Sequence, residues 1–388
     1  MSTGHRYAEW AQRAVAEHAD HIDGHPPATG RTSDREQQVL DRIDRARRRK
    51  PKVKDERITL AHGAGGKATQ TLVEAMFLDA FRNPVLERLD DAAGVPAEGG
   101  RLAFTTDSFV VSPLFFPGGD IGDLAVNGTV NDLAMAGARP LYLSAGFILE
   151  EGLPTHELRR VIDSMAQAAE RAGVRVVTGD TKVVERGKGD GCYINTSGVG
   201  VVEHDLALGP GRARPGDAVI VSGPVGDHGV TIMLARGELD IESDIESDTA
   251  PMHEMVRDLL AATSGVRCLR DATRGGVATI LNEIATASET AVVVDESAVP
   301  MRPEVRGASE ILGIDPLYVA CEGRMVAVVD GAEADTAVAA LRRHPLGQDA
   351  AVIGTIKDDP PTLVLLKTEF GGTRIVDVLI GDPLPRIC

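Results

Sequence analysis

The sequence predicts an α/β or α+β protein of two domains. Short apolar runs of strand length alternate with helix-period segments from about residue 58 onward. The chain has 388 residues, more than one ordinary core supports and enough for two units of roughly 150 residues. The pattern also restarts after Pro210 and Pro215, which puts a boundary near residue 205.

Taken in order, residues 1–54 stand apart. They hold 12 Lys and Arg against 8 Asp and Glu, a net of +4, which leaves −21 on the rest of a chain whose formal charge is −17. Apart from a short helix through Val39, Leu40 and Ile43, apolar periodicity is weak, and the segment reads as a disordered basic extension. The first domain, 55–205, opens with the strand RITLAH, the glycine-rich HGAGG and the helix KATQTLVEAMFLDAF. The strand RLAFTTDSFVV, the helix IGDLAVNGTVNDLAMAGA and the strand LYLSAGFILE follow. THELRRVIDSMAQAAERAG is an amphipathic helix, with Thr155 expected as its cap and Gly173 as its stop. VRVVTGDTKVV and GCYINTSGVGVV complete the domain as strands.

The second domain, 206–375, reads as the strand DAVIVSGPVG, the helix DHGVTIMLARGE and an acidic stretch, 238–248, expected to be an exposed loop. Next come the helix MHEMVRDLLAATS, the segment CLRDATRGGVATILNEIATAS and the strand AVVVDES. YVACEGRMVAVVD is expected as a strand pair and ADTAVAALRRH as a helix, before the strands AAVIGTI and TLVLLK. Residues 376–388 form a loose tail ending in Cys388.

The bulk numbers exclude several classes. The acidic balance argues against a general binder of nucleic acid or anionic membranes. No apolar run is long enough to cross a bilayer. MSTGHRYAEWAQRAV lacks the continuous apolar core of a signal peptide, so a cytoplasmic location is expected. The four cysteines, Cys192, Cys268, Cys321 and Cys388, show no zinc or disulfide spacing. Cys388 is the last residue rather than the fourth from the end, so it is no prenylation site.

Gly63, Gly65 and Gly66 lie in a strand-to-helix loop that fits a dinucleotide fingerprint only formally, because no second strand ending in an acid follows. Small residues there still make a phosphate cradle. Asp107 in TTDSF, Asp132 in VNDLA, Asp180 in TGDTK and Asp271 in RDATRGG keep similar company of small and hydroxyl residues. Singly each could be a turn or helix cap; together with glycine loops they fit Mg-ATP, since Mg2+ takes carboxylate oxygens and shares phosphates. Gly275 and Gly276 begin a helix and offer N–H groups to phosphate. Lys182, two residues beyond Asp180 on one strand face, fits either a surface ion pair or a group that neutralises a moving phosphoryl. Glu322, after the apolar run ending at Cys321, is either a solvent-facing turn residue or a base with a raised pKa.

HGAGG, TTDSFVVSPLFFPGGDIGDLAVNGTVNDLAMAGARP, VVTGDTKVVERG, INTSGVG, DATRGG, ACEGRM and the final PRIC together resemble the HypE family of hydrogenase maturation proteins. That family lies within the superfamily of aminoimidazole ribonucleotide synthetase and selenophosphate synthetase. The likeness runs from about residue 58 to Cys388. It implies a PurM-like architecture, with an N-terminal ATP-binding domain that dimerises through its strands and a C-terminal α/β domain. It implies ATP-dependent dehydration of a carbamoyl group on Cys388, with Lys182 and Glu322 acting in that step. Asp107, Asp132, Asp180 with Thr181, and Asp271 would serve ATP, and Asp107, Asp132 and Asp271 the Mg2+. The implied partners are a second copy, the carbamoyltransferase HypF and the iron scaffold HypC–HypD. The extension 1–54 and the acidic stretch depart from the family pattern. Rival readings are a superfamily kinase or synthetase acting on a free small molecule, and a nucleotide-gated scaffold without catalysis.

The chemistry accounts for a terminal thiol. A thiocarbamate cannot expel oxide, but phosphorylation of its carbonyl oxygen creates a leaving group. Thirteen extended residues, 376–388, span roughly 43–47 Å, enough to enter the chain's own site and swing out. Pro383 and Pro385 keep that strip from becoming helical.

Overall fold

The computed structural model describes residues 66–77, 86–97, 100–237, 243–379 and 386–388. The basic extension, the RITLAH strand, Gly63 and Gly65 lie outside these. Helix α1 (Lys67–Leu72) passes into a π turn at Val73–Phe77. Strands β1 (Ala93–Ala97) and β2 (Gly100–Phe109) are followed by a two-strand ribbon, β3 (Phe115–Phe116) with β4 (Gly119–Asp120). Helix α2 (Ile121–Met135), β5 (Ala138–Glu150), helix α3 (Thr155–Arg171), β6 (Arg175–Val184) and β7 (Cys192–Val202) complete the first half. The five-stranded sheet has the order β1-β2-β7-β5-β6, with only the β5–β6 pair parallel.

One face of this sheet is covered. Phe109, Leu143, Ala145 and Ile194 pack with Ile121, Leu124 and Ala125 of α2 and Val161, Met165 and Ala168 of α3. Phe104, Tyr142 and Ile148 are exposed on the other side. The register makes the two faces explicit, because residues directly opposite across a ladder share a face. Asp107, Thr196, Ala145 and Gly179 form one row on the helix side. Asp180 pairs with Gly146 and Lys182 with Ile148, one step along the pleat and on the uncovered side. Strand β6 is an edge, exposed along nearly its whole length. Thr155 is the first helical residue of α3 and not its cap; Pro154 takes that position, without a side-chain cap bond.

The second half contains β8 (Ala218–Val221), α4 (Asp227–Ala235), α5 (His253–Ala262), β9 (Val266–Asp271), α6 (Gly276–Ser288), β10 (Ala291–Asp295), α7 (Pro303–Leu312), β11 (Met325–Val329), α8 (Ala334–Arg342), β12 (Ala351–Lys357), β13 (Val364–Lys367) and β14 (Thr373–Val376). The seven strands run in the order β14-β13-β10-β12-β8-β11-β9. Strands β8 and β11, AVIV and MVAVV, are buried throughout because both faces are covered. Val219, Val221, Val326 and Val328 meet α6, whereas Ile220, Met325, Ala327 and Val329 meet α5 and α8. Val376, where the sequence reading began the tail, instead closes a hairpin strand.

Helix α2 joins the halves. Asp120 caps it, accepting from the N–H groups of Gly122 and Asp123 at 2.7 and 3.2 Å. Every residue of α2 except Asp132 is buried. Its body belongs to the first core and its final residues, Ala134 and Met135, to the second sheet's core.

Candidate active site

Three carboxylates meet where α2 reaches the second sheet. Asp91 precedes β1, Asp132 lies in the last turn of α2, and Asp271 ends β9. One oxygen of each lies within 4.8 Å of the others. The Thr105 hydroxyl on β2 sits 2.7 Å from Asp132 Oδ2 and 3.0 Å from the Asp91 carbonyl oxygen. Arg270 braces the group from behind, its Nε 3.0 Å from Asp91 and its Nη2 2.6 Å from Glu283. Burial, together with the charges of Asp271, Asp107 and Asp91, raises the Asp132 pKa well above the carboxylate range. Burial likewise raises Asp271 to about 6, against the pull of Arg270. Crowding and burial disfavour the ionised carboxylates, a penalty that a cation would offset, and an all-oxygen donor set suits Mg2+.

Asp107 flanks this trio. Its Oδ1 accepts from the Ser108 N–H at 2.7 Å, and burial raises its pKa while Arg274 lowers it. Asp132 and Asp271 were legible as acids in suggestive company. Asp91 was not: it lies in a stretch without a convincing strand signal, and only the pairing of β1 with β2 brings it in.

Glu322 is buried, and the segment carrying it is irregular rather than half of a strand pair. A 3-10 turn at Pro316–Tyr318 precedes it, and β11 begins only at Met325. The reason is a close approach by the acidic stretch. A Cβ on Gly323 would fall 1.9 Å from the Asp248 carbonyl oxygen. The Glu322 N–H donates to Asp248 Oδ1 at 2.9 Å, and its carbonyl accepts from Asn131 Nδ2 at 3.2 Å. Asn131 also receives the Met252 N–H at 2.8 Å, so the neighbour of Asp132 locks this loop to α2. The stretch expected as an exposed loop is therefore, over its described part, a wall of the site: Ile245 and Asp248 are buried. Replacing Gly323 with alanine is expected to destabilise the protein and displace Glu322, measurable as a lowered Tm together with loss of turnover.

The last three residues occupy the same place. Cys388 is buried, and its thiol lies beside the Glu322 carboxylate, close enough for each to shift the other's protonation. Glu322 Oε1 is buried without a hydrogen-bond partner among the described residues. Burial first, then Asp271, Asp107 and Asp248, raises the Glu322 pKa well above normal. Burial also raises the Cys388 thiol, which Arg274 pulls down. The Cys388 terminal carboxylate accepts from the Val110 N–H at 3.1 Å, and the Arg386 carbonyl from the Ser112 N–H at 3.2 Å. Arg236 binds the Arg386 carbonyl as well, and Arg386 reaches Asp190 at 3.2 Å.

Gly66 is the N-cap of α1. Gly275 and Gly276 have φ of 79° and 58°, and Gly276 packs so tightly that a Cβ would lie 2.4 Å from the Leu317 carbonyl oxygen. The Gly276 N–H already donates to Thr273 at 2.9 Å. Thr181 lies on the Asp107 side of the sheet, whereas Asp180 and Lys182 pair with each other on the uncovered side. Their sheet thus separates them from the carboxylate trio of the same chain.

The fold and site define a protein of the AIR synthase related class. Its N-terminal domain model matches residues 89–202 and its C-terminal domain model residues 214–365. Carbamoyl dehydratase HypE of Rhodobacter capsulatus is 55% identical over 339 residues, 87% of this chain and 99% of the relative. The crystal structure of a HypE in complex with ATP has a TM-score of 0.72 at 48% identity, covering 86% of this chain and 100% of that one. A HypE–HypF complex gives 0.76 at 46% identity, covering 79% and 99%. The chain belongs to the HypE family of carbamoyl dehydratases.

Proposed function

We propose that the protein dehydrates a carbamoyl group carried on Cys388 to a thiocyanate, using ATP, and so supplies cyanide for the iron centre of nickel–iron hydrogenases. The observation that carries this is the Cys388 thiol seated against buried Glu322 beside the carboxylate trio. ATP transfers its γ-phosphoryl to the carbamoyl oxygen, Glu322 removes an N–H proton, and loss of the second N–H proton with departure of phosphate leaves Cys–S–C≡N. The oxygen leaves in the phosphate. Asp91, Asp132 and Asp271 would hold Mg2+, which offsets negative charge on the phosphates. Arg274, near Asp107 and Cys388, adds positive charge at the reacting end.

The partners follow from chemistry and likeness. HypF, which a relative binds, would load the tail, and an iron scaffold of the HypC–HypD type would accept the product. A homodimer is favoured by the uncovered sheet face, with Phe104, Tyr142 and Ile148, and by the exposed edge β6 with Val177 and Val183. Such a pairing offers Asp180 and Lys182 to the partner's site. All four cysteines are free, and no helix among the described residues is long and apolar enough to cross a membrane. Both fit action in the reducing cytoplasm. The deciding experiment is mass spectrometry of the carbamoylated protein with Mg-ATP. Cys388 is expected to lose the mass of one water; its retention under conditions of ATP binding refutes the reading and leaves the scaffold alternative.

A further inference from the structure

His228 is fully buried at the start of α4, yet both of its ring nitrogens are spoken for by segments other than its own helix. Nε2 lies 2.7 Å from the carbonyl oxygen of Ile387, the residue before the reactive cysteine. Nδ1 lies 2.8 Å from Ser247 Oγ in the acidic stretch. The direction of this relay is fixed at its Ile387 end, where a carbonyl can only accept and Nε2 must donate. Ser247 Oγ accepts the Thr249 N–H at 3.2 Å, so the hydroxyl proton is free to point at Nδ1. With Nδ1 accepting, the ring proton sits on Nε2, the tautomer that can donate to a carbonyl. The Ser247 N–H in turn donates to Pro117 at 2.9 Å, and Phe116 meets the imidazole edge-on at 5.5 Å.

We infer that His228, its Nδ1 met by Ser247, is a positioning residue that seats the tail by its penultimate carbonyl and thereby holds the Cys388 sulfur against Glu322. This rests on the dehydratase reading for its consequence but not for its geometry. The other tail contacts grip the carbonyls on either side: Val110 holds Cys388, while Ser112 and Arg236 hold Arg386. Among the described residues, only His228 addresses the carbonyl pointing the opposite way, so without it the main chain of the strip is hydrogen-bonded along one side alone. Ile387 lies next to the same helix, where a Cβ on Gly229 would come within 3.2 Å of its Cδ1.

The test compares full-length wild type with His228→Ala, His228→Gln and Ser247→Ala. The first readout is the rate at which iodoacetamide alkylates Cys388 in the uncharged protein, followed on the C-terminal peptide. Losing one buried, well-made hydrogen bond is expected to speed alkylation about tenfold in His228→Ala. Ser247→Ala should fall between that variant and wild type. His228→Gln should return toward wild type, because its amide Nε2 reaches as far as the imidazole nitrogen and donates likewise. The second readout is single-turnover dehydration at saturating Mg-ATP, expected to drop about tenfold in His228→Ala with the KM for ATP unchanged. Alkylation of His228→Ala at the wild-type rate overturns the inference. So does a His228→Gln variant no better than alanine, which would mark His228 as packing only. If His228→Ala does not fold, Ser247→Ala alkylating at the wild-type rate overturns it instead. A wild type that loses no water with Mg-ATP refutes the dehydratase reading, while the alkylation series still decides the clamp.

Discussion

Glu322→Gln is expected to bind Mg-ATP normally and to leave the carbamoyl group on Cys388 intact. Glutamine keeps the size and the backbone bonds to Asp248 and Asn131 but cannot take a proton. Loss of a positioned general base costs about 10²–10⁴ in rate. Mass spectrometry after a fixed incubation reads the outcome, and nitrile formation at an undiminished rate removes Glu322 from the mechanism. The wild-type pH profile should carry the same signature. A base works deprotonated, so the rate rises with pH through the Glu322 pKa. That pKa stands well above the usual carboxylate value chiefly because of burial. The limb is therefore expected above pH 4.5, and it persists when a cation offsets Asp271, since the larger cause remains.

The second large effect is complementation. The Lys182→Ala and Glu322→Gln proteins are each expected to be inactive. If Lys182 serves the partner's site, mixing and re-pairing them assembles one site with both groups intact in every mixed dimer. Random pairing of equal amounts then restores roughly a quarter of wild-type turnover. Activity that stays at the level of the single variants places Lys182 in its own chain's site or outside the reaction. The register argues for the crossed arrangement, since Asp180 and Lys182 face away from Asp107 across one sheet.

The parts legible in the sequence share a physical trait: they are local. The helix through Asp132 and the strands through Asp107 and Asp180 show clear periodicity, and the structure has them. Glu322 was legible as a carboxylate after an apolar run and Cys388 as a terminal thiol, with their roles supplied by the family resemblance, and the structure buries the two side by side. What escaped was non-local. Asp91 belongs to a strand whose signal, AGVPA, is weak until β2 pairs with it. Arg274 sat unremarked inside RDATRGG. Asp248 and Ser247 escaped because a repetitive acidic run reads as solvated surface, and nothing in its composition says that Gly323 folds against it; His228 escaped because its partners, Ser247 and Ile387, are distant in sequence. The Thr155 cap failed because a hydroxyl next to a helix start is only useful in the cap position, which Pro154 holds.

The seat for the chain's end grips three main-chain carbonyls and the Ile387 side chain, and none of these changes when the sulfur is bare, loaded or converted. Those main-chain grips are thus blind to cargo and hold empty, carbamoylated and cyanated ends alike, so they cannot themselves order the cycle. Direction has to come from what shares the cavity, and the arrival of nucleotide and the departure of phosphate are the steps able to supply it.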